Sequence, residues 1–395
     1  MIQTLKNWYH FCIAGFWALY FGYPGKKLTV IGVTGTDGKT TTTTLIYHIL
    51  HKAGVKASMI TSVHAVIAGV PYDTGFHVTT PGSYYVQKYL REAVDHGDTH
   101  MILEVTSHAI DQSRVLGIPF EVGVITNVTH EHLDWHKTFE RYLTTKLKLL
   151  RRSRIAVVNK DSSVLYERAV SVLTKEQKLI TFGSTPHAMI NLKKYPIKTL
   201  LLGQYNLMNC LAATGACIAI GISPKVILRG ISTFQGLSGR MEIISNSPYF
   251  IIVDFAHTPN AIEQALKTAK SMVKGSGKLI HVFGSAGLRD RTKRPLMGEA
   301  SARYADSVIL TEEDYRTENV EQIMNDIAVG IPKNVPTYRF PVRSDALSFA
   351  LSDVHKGDVV IITGKGHEKS LCRGKIEYPW SDQEAVKDLL SKKNI

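Results

Sequence analysis

The sequence predicts an α/β protein with parallel-rich sheets, and three observations carry this prediction. Short apolar runs typical of buried strands alternate with helical stretches along the chain. Glycines interrupt the alternation at residues 236–240, after which it resumes, so two separate α/β domains are expected. The chain has 395 residues, which is more than one ordinary hydrophobic core organises.

The first domain is placed at residues 28–239. It is predicted to open with a strand at 27–33, a loop of glycine and threonine, and a helix at 41–53. The other predicted elements are strands at 101–105, 122–127 and 155–159 and helices at 84–96 and 140–150. This order implies a parallel sheet with helices on both faces.

The second, smaller domain is placed at residues 240–395. Its predicted elements are strands at 250–253, 279–283, 307–311 and 359–363, separated by helices such as 259–274. The same alternation predicts a second parallel sheet covered by helices.

Residues 1–27 precede the first domain as a short apolar segment. Nearly all residues of 8–23 are apolar or aromatic, but the stretch is shorter than the ~20 residues that a spanning helix needs. No small-residue cleavage site follows it. Two interpretations stay open: an interfacial helix with Lys26 and Lys27 as its basic flank, or a helix buried against the next domain.

The net charge and the cysteine content of the chain narrow its possible partners and cellular location only slightly. The formal net charge of +13 suits an anionic partner such as a nucleotide, an anionic substrate, nucleic acid or a membrane surface, and equally a solubilising surface. No aromatic-basic motif outside the N-terminal segment indicates nucleic-acid binding. Four cysteines without zinc spacing favour a reducing cytoplasm. An interfacial helix at 8–23 would place the protein at the inner membrane face.

The segment Thr34 to Thr40, TGTDGKT, carries the clearest chemistry. It departs from the strict phosphate-loop pattern only in its first glycine, which is Val33 here. Gly35 and Gly38 allow backbone N–H groups to close on phosphate, Lys39 pairs with phosphate charge, and Thr40 can bind Mg²⁺. The pattern therefore predicts ATP and Mg²⁺, and the alternative is an ordinary turn between a strand and a helix.

This segment is also the first of several through which the chain resembles the Mur ligase family. The others follow in the family's order: TTP at 79–81, EVTSHAIDQSR at 104–114, NVTHEHLDWH at 127–136, YNLMN at 205–209, GLSGRME at 236–242, VDFAHTPNA at 253–261, RDRTKRPLMG at 289–298 and GKGHE at 364–368. The likeness is greatest to the branch that adds the third residue of the wall peptide.

The resemblance implies a central P-loop ATPase domain and a smaller Rossmann-like C-terminal domain that binds an amino acid. It implies an ADP-forming ligase that makes an amide bond through an acyl phosphate. The amino acid would be added to an anionic muramoyl-peptide acceptor in peptidoglycan or related cell-wall synthesis. Nucleic acid would not be a partner.

The resemblance also implies site residues. The catalytic residues would be Lys39, Lys146, His132 and Arg240. The ATP-binding residues would be Gly35, Thr36, Asp37, Gly38, Lys39, Thr40, Thr41, Asn127, Asn206, Asn209, Arg240, Asp254 and His257. The substrate-binding residues would be Thr79, Thr80, Ser107, Arg114, Arg289, Asp314, Arg316, Gly364 and Glu368. The metal ligands would be Thr40, Glu104, His132 and Lys146, the last as a carbamylated lysine matched by its spacing from His132.

Three departures from the family pattern bear on the substrate. Residues 1–27 contain no counterpart of the family's N-terminal domain, which binds the uridine nucleotide. We therefore expect either that the acceptor is linked to the membrane or that a partner subunit binds the nucleotide. The family's DNPR motif reads EDYR at 313–316, which keeps Arg316 for a carboxylate but weakens the preference for diaminopimelate. Ala286 and Leu288 alter the glycine-rich segment at 283–290.

Two rival functions remain at this point. One is a folylpolyglutamate-synthetase-like or other amide ligase on the same scaffold, against which the segments HTPNA and GKGHE argue. The other is a P-loop ATPase switch without ligase activity, which leaves the matches in the second domain unexplained.

Overall fold

The structure is a computed structural model that describes residues 2–72, 80–129 and 133–392. Its internal contacts divide the chain into two compact units. The first unit comprises residues 1–201 and 205–235, and the second comprises 202–204 and 236–395. Each unit is built on a parallel-rich sheet with helices, which confirms the predicted α/β class.

The first unit alternates strands and helices from its N-terminus. Its elements are α1 (Ile2–Tyr20), β1 (Thr29–Thr34), α2 (Lys39–Lys52), β2 (Ala57–Ile60), β3 (Ala65–Ile67), β4 (Val70–Tyr72), α3 (Ser83–Asp95), β5 (His100–Glu104), α4 (Ser107–Asp111), β6 (Phe120–Ile125), α5 (Leu133–His136), α6 (Phe139–Arg151), β7 (Ser153–Asn159), α7 (Ser163–Val172), β8 (Lys178–Phe182), α8 (Gln204–Ala219) and α9 (Pro224–Thr233).

The sheet of the first unit brings three strand ends together. Its order is β4-β3-β2-β5-β1-β6-β7-β8, parallel except where β3 pairs with β2 and β4. Strand β1 lies between β5 and β6, so the residues that follow these three strands share one edge. Ligands of open α/β sheets bind at such carboxyl ends.

Most predicted boundaries in the first unit were displaced by one or two residues, and two of these displacements have a clear local reason. The first strand starts at Thr29 rather than residue 27, because Pro24–Lys27 forms a 3₁₀ turn. Helix α2 starts at Lys39 rather than residue 41, because Gly38 adopts a φ of 79° and ends the loop there. Such a left-handed conformation suits glycine.

Helix α1 has one packed face and one exposed face. Ala14 and Ala18 are buried, and the Trp17 ring lies 4.7 Å from the Tyr84 ring of α3, centroid to centroid. The exposed residues are Trp8, Tyr9, Phe11, Phe16, Leu19 and Tyr20, each more than half accessible. Over the residues that the structure describes, no helix is both long enough and apolar enough to cross a membrane.

The second unit repeats the α/β alternation. Its elements are β9 (Glu242–Ser245), β10 (Phe250–Val253), α10 (Pro259–Lys270), β11 (Leu279–Phe283), α11 (Lys293–Ala302), β12 (Ser307–Thr311), α12 (Val320–Ala328), β13 (Thr337–Phe340), α13 (Arg343–Ser352), β14 (Val359–Ile362), β15 (Ser370–Arg373), β16 (Ile376–Pro379) and α14 (Asp382–Lys392). The predicted strands at 250–253, 279–283 and 307–311 are confirmed.

The second sheet has the order β13-β12-β11-β14-β10-β9, and only β9 runs antiparallel to its neighbour. Strands β12, β11 and β14 are therefore adjacent and parallel. The loops that follow them, at 284–288, 312–316 and 363–368, share one edge of this sheet.

A fully buried ion pair ties the C-terminal helix to the second sheet. The Arg343 guanidinium donates to both carboxylate oxygens of Asp382 at 2.7 Å, and neither side chain is accessible to solvent. Arg343 also donates to the carbonyl oxygens of Glu312 and Thr363. Both buried charges are thus compensated, which is the condition for such a pair to be tolerated.

We expect Arg343→Met to lower the free energy of unfolding by about 3–5 kcal/mol, because Asp382 would remain as a buried uncompensated charge. Thermal or urea denaturation measures the effect. The control is Arg303→Met, which removes an arginine from an exposed pair with Glu299 and should change stability little. Equal effects of the two substitutions would contradict the prediction.

Candidate active site

The phosphate-type loop connects β1 to α2 at the shared strand edge. A Cβ atom placed on Gly38 would lie 2.1 Å from Oδ1 of Asn209, so any side chain there would clash as well as strain the backbone. Asn209 is buried in α8 and donates to Oδ1 of Asn206 at 2.9 Å. The asparagines predicted to bind nucleotide therefore lie against the loop.

Asn127, which follows β6, fixes the loop from the other side. The backbone N–H of Asp37 donates to Oδ1 of Asn127 at 2.9 Å, and Nδ2 of Asn127 donates to the Asp37 carbonyl oxygen at 3.1 Å. The hydroxyl of Thr126 donates to the same carbonyl at 2.7 Å. The N–H of Thr36 donates to the Asn127 carbonyl oxygen. These bonds hold the loop in one conformation.

Lys39 and Thr40 begin α2 and carry the polar groups of the loop. The Lys39 ammonium donates to the Thr36 carbonyl oxygen at 2.7 Å, so it lies across the loop. The Thr40 hydroxyl donates to Oε1 of Glu104 at 3.2 Å, and Thr41 beside it is buried. The first N–H groups of a helix, together with a lysine, form a favourable environment for phosphate.

Glu104 ends β5 and is buried at the same edge. Its second oxygen, Oε2, accepts the backbone N–H of Ser62 at 2.9 Å. Thr40 and Glu104 offer hydroxyl and carboxylate oxygens, which are the ligands that Mg²⁺ prefers alongside phosphate oxygens and water. The pair therefore fits a Mg²⁺ shared with a nucleotide. In the described ranges, no three His, Cys, Asp or Glu side chains are close enough to hold a metal by themselves.

Lys146 comes from α6 to lie beneath the loop. Its side chain is buried, and Nζ donates to the Gly35 carbonyl oxygen at 2.6 Å. Nζ also lies 4.5 Å from the centroid of the Tyr142 ring. The Tyr142 hydroxyl is 3.1 Å from the hydroxyl of Thr36. Residues four apart on a helix share a face, which could have indicated Tyr142 as a neighbour of Lys146 in the sequence.

The histidines of the segment 127–136 are only partly described. His132, with its neighbour His130, lies outside the described residues. His136 is buried, with its ring 5.2 Å from the Tyr142 ring and 5.8 Å from the His108 ring. Burial, reinforced by His108, lowers the pKa of His136 to about 4, so its imidazole is neutral at pH 7.

The residues of the first unit that are predicted to bind the acceptor substrate lie near the end of β5, next to Glu104. The Thr80 hydroxyl donates to the Glu104 carbonyl oxygen at 2.9 Å, and the Arg114 guanidinium donates to the Thr80 carbonyl oxygen. Ser107 is buried at the start of α4. Thr79 lies outside the described residues. The structure therefore brings Thr80, Ser107 and Arg114 to the strand edge that also holds the loop.

In the second unit, Arg240, Asp254 and His257 form one local group. The Arg240 guanidinium lies 4.4 Å from the centroid of the Phe255 ring. Asp254 accepts the backbone N–H groups of Met241 and Ala256 at 2.7 Å. Burial raises the pKa of Asp254, against the opposing effect of Arg240. His257 follows Asp254 by three residues, and its carbonyl oxygen accepts a hydrogen bond from the Lys293 ammonium.

The predicted amino-acid residues lie at the shared edge of β12 and β14. The buried Lys365 ammonium is 2.8 Å from Oδ1 of Asp314 and 2.5 Å from Oε2 of Glu368. Gly364 precedes it with a φ of 104°. Sequence reasoning missed Lys365, although it stands inside the GKGHE segment. Its buried charge explains how two carboxylates are held close together.

The remaining two predicted substrate residues are arginines. Arg316 donates from Nη1 to the Gly287 carbonyl oxygen at 2.7 Å. Arg289 is exposed on the loop after β11. The structure therefore brings Arg316 to the strand edge with Asp314, whereas Arg289 lies further along its loop.

Comparison with known proteins covers both units. Residues 33–217 match the Mur ligase middle domain, and residues 239–366 match the Mur ligase, glutamate ligase domain. A UDP-N-acetylmuramoyl-L-alanyl-D-glutamate–2,6-diaminopimelate ligase of Aquifex aeolicus is 36% identical over 94% of this chain and 79% of its own. The corresponding protein of Trichormus variabilis is 37% identical over 95% of this chain and 80% of its own.

Solved structures show the same architecture. A ligase of the same name aligns with a TM-score of 0.61 at 28% identity, over 93% of this chain and 79% of that one. A Mycobacterium tuberculosis folylpolyglutamate synthase, solved with ADP and AMPPCP, aligns with a TM-score of 0.72 over 89% of this chain and 91% of that one. At 15% identity, the second match shows the fold alone.

We expect Lys39→Ala to reduce ATP turnover by about 10²–10³-fold, because the ammonium offsets phosphate charge that develops during transfer. The fold should persist, since the hydrogen bond of the Lys39 ammonium joins it to the Thr36 carbonyl oxygen of its own loop and not to another element of the sheet. Steady-state phosphate release and circular dichroism measure both quantities. Lys52→Ala, at the exposed end of the same helix, is the control. Normal turnover in the Lys39 variant would remove this loop from the active site.

Proposed function

We propose that this chain, which belongs to the Mur ligase family, is an ATP-dependent ligase that joins an amino acid to a muramoyl-peptide acceptor. One observation favours this over a P-loop switch: the family match continues from the phosphate loop through the second unit to residue 366. A switch would need only the first unit. The proposed setting is peptidoglycan or related cell-wall synthesis.

The first step of the reaction brings two anionic groups together. The acceptor carboxylate attacks the γ-phosphorus of ATP, forming an acyl phosphate and releasing ADP. Both reactants are anionic, so cations must offset their repulsion. Lys39 supplies one positive charge in the first unit, and we assign Arg240 a similar role. Mg²⁺, for which Thr40 and Glu104 offer oxygen ligands, would neutralise further phosphate charge when bound.

The second step forms the amide. The amino group of the incoming amino acid attacks the acyl carbon, and inorganic phosphate leaves. We assign the binding of the amino acid to Asp314, Arg316, Gly364 and Glu368. Arg316 offers a planar donor fork for its carboxylate, and Glu368 offers an acceptor for its amino group.

We further propose that Lys146 works as a carbamate. Carbon dioxide would form a bond to the neutral Nζ, which loses a proton to solvent and leaves an anion. An anion near the loop can serve a divalent metal, whereas an ammonium repels it. The burial of Lys146 and the 2.6 Å contact of its Nζ with the loop support this proposal.

We expect Lys146→Ala to be inactive, and short carboxylates such as acetate to restore part of the activity by taking the place of the carbamate. Lys148→Ala is the matched control, since it removes a lysine only two residues further along the same helix, where the side chain points in a different direction. Labelling with ¹³C-bicarbonate reports the modification directly. A fully active Lys146 variant, or an unlabelled lysine in protein with bound nucleotide, would refute the carbamate.

We also propose that α1 lies on an anionic membrane surface. At about 100° per residue, Trp8, Tyr9, Cys12, Phe16, Leu19 and Tyr20 fall within about 120° of arc and form one apolar face. This face is exposed, and α1 contains no acidic residue. Lys26 and Lys27 follow at its end and are exposed as well. Aromatic residues beside lysines are typical of interfacial helices.

We expect the full-length protein to co-sediment with vesicles that contain anionic lipid at low salt. A variant with Phe16→Ser and Leu19→Ser should bind much less, because it loses apolar area from the exposed face. Its thermal stability should change little, since both side chains are exposed. Absence of vesicle binding by the native protein would contradict the membrane assignment and favour a partner subunit.

A panel of amino acids, each tested with UDP-linked and lipid-linked muramoyl peptides, tests the ligase function. Phosphate release that requires both an amino acid and an acceptor supports the proposal. ATP hydrolysis that needs neither would favour a switch. A folate acceptor with glutamate forms a third arm, because the fold is also that of folylpolyglutamate synthase.

A further inference from the structure

The two halves of α1 have different surroundings. Residues 6–13 include no buried side chain, and the first buried residue of the helix is Ala14. Trp8, Tyr9 and Phe11 in the earlier half are each more than half accessible. Apolar exposure on this scale marks an interaction surface. The later half is packed, and the segments on which it packs indicate what the exposed half serves.

The first of these segments is the loop that follows α4. A Cβ atom placed on Gly117 would lie 3.0 Å from Cβ of Ala18, and one placed on Gly15 would lie 3.9 Å from Cδ2 of Leu116. The loop and the helix therefore approach each other closely. Arg114 is two residues before Leu116, a span of at most about 7 Å of extended chain. The helix thus packs on the loop that carries a residue predicted to bind the acceptor.

The second segment is the start of α3. The Tyr84 ring lies 4.7 Å from the Trp17 ring, and Thr80 is four residues earlier, at most about 14 Å along the chain. The Gln87 amide of α3 donates to the Leu116 carbonyl oxygen at 3.0 Å, so the two segments are also joined to each other. Both predicted acceptor segments of the first unit are therefore tied to α1.

Arg114 has a positive charge that its neighbours leave uncompensated. Its guanidinium donates to Oε1 of Gln112 at 3.0 and 2.7 Å and to the carbonyl oxygen of Thr80, and all of these acceptors are neutral. Within the described residues, no carboxylate forms an ion pair with it. A partly buried arginine of this kind suits an anionic ligand, such as the carboxylate of a peptide.

The groups exposed beside these two segments are mainly large and aromatic or apolar. They are Phe16, Leu19, Tyr20, Tyr84 and Tyr85. A soluble acceptor gains nothing from such a surface, because its binding does not depend on where the protein lies. An acceptor held in a bilayer does gain, because two molecules confined to one surface meet at a much higher effective concentration than in solution.

We propose that the acceptor is a muramoyl peptide linked to a lipid, held in the same bilayer on which α1 lies. This inference rests on the proposed ligase function and on the membrane assignment of α1, and it names the class of acceptor that neither of them decides. The peptide would reach Thr80 and Arg114 from the membrane side of the first unit. Its terminal carboxylate is activated as described above, and its bond to the lipid is not altered.

The test compares two acceptors that carry the same peptide. One is linked to UDP in solution, and the other to a long-chain isoprenyl diphosphate in vesicles of phosphatidylglycerol and phosphatidylethanolamine. The full-length protein should show a kcat/KM for the lipid-linked acceptor about 10²–10⁴-fold above that for the UDP-linked one. The variant with Phe16→Ser and Leu19→Ser should lose most of this ratio, because it is no longer confined to the membrane.

The matched control carries Val170→Ser and Val329→Ser, which remove exposed apolar side chains from other helices. It should keep the native ratio. A second measurement spreads the same total amount of lipid-linked acceptor over about ten times more vesicle lipid. Below saturation, the native rate should fall about tenfold, because the density in the membrane sets the rate of encounter. A rate that follows the bulk concentration alone would contradict the inference.

Equal use of both acceptors by the native protein, or better use of the UDP-linked one, would overturn the inference even if the protein binds vesicles. Equal losses by the α1 variant with both acceptors would show that the helix has a structural role, and would overturn it as well. If neither acceptor supports phosphate release that depends on an amino acid, the ligase function itself fails, and the assignment of the acceptor fails with it.

Discussion

The exchange of hydrogen bonds between Asn127 and the backbone of Asp37 is the interaction on which the shape of the loop between β1 and α2 depends. A loop that binds phosphate must direct several N–H groups toward one point, so its shape must be fixed. Here the residue after β6 fixes the loop after β1. Because β1 and β6 pair in parallel, their carboxyl ends lie side by side. The loop after β1 is therefore anchored to a strand end whose position the sheet fixes.

Buried charged side chains are stabilised by ion pairs in the second unit and by hydrogen bonds to uncharged groups in the first. In the second unit, Arg343 and Asp382 compensate each other, as do Lys365, Asp314 and Glu368. In the first, Glu104 is held by a threonine hydroxyl and a backbone N–H, neither of which neutralises its charge. A paired charge is a structural element, because separating it is costly. Glu104 is held by uncharged groups, and this arrangement fits the magnesium-binding role proposed for it.

Helix α1 shows how one element can satisfy two opposite requirements. Its small residues, Ala14 and Ala18, pack against the rest of the first unit together with Trp17, and its other large aromatic residues lie on the outside. In a helix that served only the core, the large side chains would face inward, where they bury most apolar area. The inverted arrangement gives the helix an apolar outer surface. It is consistent with both interpretations left open by the sequence, because each describes one face.

The sequence alone determined the fold class, the glycine-threonine loop between the first strand and its helix, and four strands of each sheet, out of eight in the first and six in the second. These depend on local patterns: apolar runs, glycine positions and the order of short segments. Only the tertiary structure decided which distant groups meet. Lys146 and Gly35 are 111 residues apart, and nothing local indicates that the lysine lies beneath the loop carbonyl. Nor does the sequence reveal that Lys365 neutralises Asp314 while Glu313, one residue earlier, keeps an unpartnered oxygen among the described residues. Hydrogen bonds and burial depend on how separate helices and strands pack together. The spacing of residues along the chain does not predict that packing.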